Sequence, residues 1–158
     1  MKFSRIALIA ATVGMTACAS DGATNPSDTL QIESRLAAVA AAPDASASLA
    51  STGVTVRVAV TSSLTETVSG GRCAQAVEAR LASDSRWTDV TSTTAACSAL
   101  AILVAPGSTV TFDGIADPSK IRGVASAGSS VLMRVRHSLA GSEKSYVMMS
   151  NEVVWVVR

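Results

Sequence analysis

The chain is poor in the residues on which most catalytic and binding chemistry depends. Among 158 residues there are two Phe, two Trp, one Tyr and one His. So few aromatics leave no platform for stacking bases or sugars. A closed zinc site wants four ligands, and a single histidine beside three cysteines does not supply a recognisable set. Neither a G-x-S-x-G elbow nor a phosphate-cradling glycine loop occurs. The lone His137 falls in phase with Val131, Met133 and Val135, which is where a structural residue on a buried strand face would sit. Glu78, Asp84, Asp89, Asp113 and Asp117 are scattered through strands and turns, and D-G-I-A-D at 113–117 lacks the ligand spacing of a calcium loop and reads as a turn. The expectation is a protein with no catalytic residue, no metal and no cofactor.

Long apolar runs are missing too. The longest early one, Ile6 to Val13, amounts to about ten residues even counted generously, too few to cross roughly 30 Å of hydrocarbon as a helix. It follows Lys2 and Arg5 and is closed by Gly14, the layout of a removable signal peptide. Met15, Thr16, Ala17 and Cys18 then resemble the lipobox of bacterial lipoproteins, with Met in place of the usual Leu. Ordinary cleavage at the A-x-A of Ala17 and Ala19 is the competing route. Lipidation also explains the odd cysteine count. If Cys18 is acylated, by palmitate or a similar chain, Cys73 and Cys97 remain as one pair in an oxidising compartment, where a disulfide between them would contribute about 3 kcal/mol.

Charge of either sign is not in excess. Without residues 1–17, eleven basic side chains face twelve acidic ones, so there is no electrostatic case for nucleic acid. Residues 18–51 begin with Ser, Asp, Gly, Asn and Pro and end in P-D-A-S-A-S-L-A-S, a composition suited to a flexible tether. Within it Leu30, Ile32, Leu36 and Val39 are spaced for a short helix capped by Ser27 or Asp28.

What is abundant is valine at alternate positions. Val54, Val56, Val58 and Val60 share one face of a strand. Similar patterns mark 77–81, 87–90, 100–104, 109–113, 131–139, 146–149 and 153–157, with turn signals at Gly70–Gly71, Pro106–Gly107, Asp117–Pro118 and 140–142. Residues 52–158 are therefore expected to form an all-β antiparallel sandwich of seven to eight strands. Arg57, Arg80, Arg134 and Arg136 alternate with buried positions, so some are expected on a common outward face, a solvated surface or a receiver for an anionic glycan or acidic partner.

The motifs S-G-G-R-C, V-E-A-R-L, R-W-T-D-V, L-V-A-P-G-S-T-V-T-F, V-L-M-R-V-R and S-N-E-V resemble small exported immunoglobulin-like domains of bacterial lipoproteins. They resemble more loosely the sandwich of the bacterial intracellular proteinase inhibitors. The resemblance spans Val54 to Val157 and implies an immunoglobulin-like sandwich in which the Cys73 and Cys97 regions approach, Trp87 packs near the core and A-P-G-S starts a strand. It implies no catalytic residue. The expected protein is non-enzymatic and lipid-anchored in the bacterial envelope, facing the periplasm or the exterior, with an envelope protein or glycan as its partner through loops such as Thr91 to Thr94. The alternative is a proteinase inhibitor.

Overall fold

The structure, a computed structural model, describes residues 32–93 and 101–158, without the side chain of Arg72. Cys18 and Cys97, with the leader and residues 19–31 of the expected tether, lie outside the described residues.

The fold is an antiparallel all-β sandwich of two sheets and ten strands among the described residues. The smaller sheet has the order β1 (Leu36–Ala41), β2 (Val54–Ser62), β7 (Thr109–Ala116). The larger is built around β8 (Ser130–Ala140), the longest strand. Along one flank of β8 run β3 (Val68–Gly71) and β4 (Gln75–Leu81); along the other run β9 (Ser145–Met149) and β10 (Val153–Val156). The outer strands are β5 (Thr88–Asp89) beside β4 and β6 (Ala101–Val104) beside β3. A short α-helix, α1 (Pro118–Arg122), follows β7. No helix among the described residues is long and apolar enough to cross a membrane.

Alternation sets the core. Val54, Val56, Val58 and Val60 of β2 are fully buried and meet Val77 and Ala79 of β4, Val131, Met133 and Val135 of β8, and Met148 of β9. Each fully buried aliphatic side chain contributes about 1.5–3 kcal/mol, so a valine-rich interior holds the sandwich together with little aromatic help. Phe112, Tyr146 and Trp155 supply that help.

Two interruptions of the ladders shape the large sheet. Ser69 lies opposite Ala140 and Gln75 opposite His137, so three residues, Arg72–Ala74, are looped out of the β8 flank as a 3-10 turn. Across the strand, Met149 faces Arg136 but Val153 faces Met133, a one-residue bulge in which the Val135 N–H turns to the Ser150 hydroxyl at 2.9 Å.

Three expectations change here. Residues 36–41, expected within a helical tether, are strand β1. They pair with β2 from Leu36 opposite Ser62 to Ala41 opposite Arg57, and on the other side they are stitched to the bulge: the Ala40 N–H donates to Asn151 Oδ1 at 2.6 Å, and the Asn151 N–H to the Ala38 carbonyl. The sandwich therefore begins well before residue 52. Gly70–Gly71, read as a turn, lies in β3, which with β1 raises the strand count from eight to ten. Asp113–Asp117 is no turn either: Asp113 is in β7, and Asp117 caps α1 by accepting from the Ser119 N–H at 2.8 Å.

Candidate functional site

The outward face of the large sheet gathers most of the charged and polar residues singled out in the sequence. Glu78 on β4 lies opposite Arg134 on β8, and its carboxylate takes two guanidinium groups at once: Arg134 Nε donates to Oε2 at 2.7 Å and Arg136 Nε to Oε1 at 3.1 Å. Trp87 has the Arg134 guanidinium 4.0 Å and that of Arg80 4.9 Å from its ring centroid. Arg80 also donates to the Asp84 carbonyl and, at 3.3 Å, to Glu152. Alternation puts these side chains on one surface, and register brings them into contact.

Trp87, which the resemblance implied would pack near the core, is half-buried beneath arginines on the outer face. The core tryptophan is Trp155, in phase with buried Val153 and Val157. Cation–π contact favours the arginine-covered position for Trp87.

Three of the four arginines share an outward face. Arg80, Arg134 and Arg136 lie on it, whereas Arg57 lies on the small sheet, paired with Asp113 at 3.0 Å. The shared face is balanced, because Glu78, Asp89 and Glu152 lie among the arginines. Burial pushes the Asp89 carboxyl up, but the Thr91 hydroxyl and N–H, with the charges of Lys120 and Arg136, together hold it below the usual carboxylate range. Glu78 is the hub that sequence reading missed. Its role depends on which strands are neighbours, and the only local trace is the matched alternation of Glu78-x-Arg80 and Arg134-x-Arg136. We expect Glu78→Gln to cost about 1–2 kcal/mol, with the loss reduced at high salt, when urea unfolding is compared at two ionic strengths.

His137 is far from this face in character. It is fully buried, its Nδ1 donates to the Ser138 carbonyl at 2.9 Å, and its ring meets Phe112 edge-on with centroids 5.4 Å apart. Among the described residues its Nε2 finds no hydrogen-bond partner, and burial lowers the ring's proton affinity. No acid–base partner is placed on it by any contact among the described residues.

Thr91 is anchored, not a free loop residue: its hydroxyl accepts the Val77 N–H at 2.8 Å. Thr94 lies outside the described residues. Cys73 is exposed at the tip of the looped-out turn, and Ala101, four residues beyond Cys97, pairs with Gly71, two residues before Cys73. No group of three His, Cys, Asp or Glu able to hold a metal occurs among the described residues. Shallow clefts among the described residues include one of about 340 Å³ over Gly70, Gly71, Ser138 and Ser145 at the ladder break and, away from this face at the Arg57 end of the small sheet, one of about 380 Å³ beside the 42–53 connection.

Comparison of the chain with protein-family models, with characterised proteins and with solved structures finds no match. Function has to be read from the residues themselves.

Proposed function

We propose that this chain is a lipid-anchored protein of the bacterial envelope whose β-sandwich acts as a non-catalytic binding or structural module. The observation that carries the proposal is the leader: two positive residues, a short apolar run and Met15-Thr16-Ala17-Cys18. Acylation of Cys18 leaves Cys73 and Cys97 to pair. That pairing is supported by the register that puts Ala101, four residues beyond Cys97 in sequence, opposite Gly71, two residues before Cys73. The non-catalytic reading is supported by the way the titratable groups are used. Glu78, Asp89, Asp113 and Asp117 each hold a strand, loop or helix end in place, and His137 is sealed in the core.

The test is metabolic labelling with fatty acid in a bacterial host. The wild-type chain should take up label and sediment with membranes, and Cys18→Ser should lose both. Digestion of the wild-type protein without reduction should give Cys73 and Cys97 in one linked peptide. Label retained by Cys18→Ser would refute the anchor, and two free thiols would refute the pair.

A further inference from the structure

The large sheet departs from polar-out alternation along one edge. On the outward face of β9, β10 and the adjoining part of β8 lie Val147, Met149, Val154, Val156 and Leu132. Ile32 joins them through its bridge to Val147. Ile32 is 54 %, Val154 59 % and Val156 47 % exposed, three of the five most exposed large apolar side chains among the described residues. An exposed apolar stripe of this kind marks a surface that something covers.

We propose that this stripe rests on the lipid surface to which Cys18 tethers the chain. The inference builds on the acylation proposed above, and the argument is one of reach. Thirteen residues separate Cys18 from Ile32, a connection of at most about 50 Å when fully extended. The chain from the anchor therefore enters the sandwich at the stripe itself, and the edge carrying Ile32 and Val147 is the part of the domain held nearest the bilayer. The arginines beside the stripe are already paired with Glu78 and Glu152, and the charge of Asp89 faces Arg136, so the contact is apolar and does not select anionic lipid. Six partly exposed aliphatic side chains are too few to hold a free protein at a membrane. With the anchor in place the contact becomes intramolecular, and a weak apolar surface suffices to orient the domain.

The test uses the full acylated protein in phosphatidylcholine nanodiscs doped with a spin-labelled lipid, read by methyl NMR. The methyl signals of Ile32, Val147, Val154 and Val156 should broaden, while that of Leu103, equally exposed on β6 at the opposite edge, should not. Replacing phosphatidylcholine by phosphatidylglycerol should leave the pattern unchanged. The double variant Val154→Glu/Val156→Glu should stay in the disc and lose the broadening at Ile32 and Val147. Uniform broadening, or broadening strongest at Leu103, in protein that remains anchored would overturn the orientation and leave the anchor standing. A stripe-specific dimer abolished by the same double variant would assign the surface to a second copy and overturn the lipid contact. A chain that carries no acyl group would remove both readings together.

Discussion

Gly70→Ala is expected to destabilise the domain by about 2–3 kcal/mol, whereas Gly71→Ala should leave it unchanged or stabilise it by up to about 1 kcal/mol. A Cβ at Gly70 would fall 2.4 Å from Cε1 of His137, 2.8 Å from a Leu139 methyl and 2.9 Å from the Ser138 carbonyl. The imidazole is walled in by Phe112, and the carbonyl belongs to the central strand, so neither can retreat without disturbing the ladder. At Gly71 a Cβ would meet nothing within 4 Å, and the backbone there has φ −75° and ψ 152°, which any residue adopts. Urea unfolding of the two single variants checks the contrast. Equal stability of Gly70→Ala and wild type would mean that β3 does not lie against His137.

That contrast also shows where sequence reading reaches its limit. A Gly-Gly pair after a short strand reads as a turn because glycine is the usual turn residue. Here one glycine is required by close approach of a side chain 67 positions away, which no local window contains. The same limit explains β1. Leu-Ala-Ala-Val-Ala-Ala has good helix formers and helical spacing, and it becomes a strand because β2 and Asn151 offer hydrogen bonds on both of its edges. Where one strand face is lined with valine, as in β2, or with Val131, Met133 and Val135, as in β8, alternation alone locates the strand and its buried face. The outer face is legible only as a list of arginines. Knowing that Glu78 joins two of them and that Trp87 lies beneath two of them requires the pairing of β4 with β5 and β8, and pairing is a property of the fold.

Acid should weaken the protein through His137 well before it reaches the range in which Glu33 and Glu66 lose their charge. The folded ring has its proton affinity lowered by burial, partly offset by the Ser138 carbonyl, and no charged group contributes. The strands around it present Gly70, Gln75, Phe112 and Met148, none of them charged. The unfolded chain therefore binds a proton more readily than the folded one. The resulting stability is complete above the unfolded value of about 6.5 and is lost as pH falls from there through the folded value, at no more than about 1.4 kcal/mol per pH unit. Among the carboxylates held below their usual range, two are shifted far. Glu33, held by the Arg35 guanidinium, and Glu66, held by the Ser142 N–H and the hydroxyls of Tyr146 and Ser142, are both lowered to about 2 from 4.5. Their contributions are present above about 4.5 and disappear only as pH drops toward 2. Unfolding measured between pH 7.5 and 5 therefore isolates the histidine. Wild type should lose stability across that interval, and His137→Leu, which cannot titrate, should give a flat profile whatever its absolute stability. A wild-type profile as flat as that of the variant would show that the imidazole reaches solvent and is not sealed between Phe112 and Gly70.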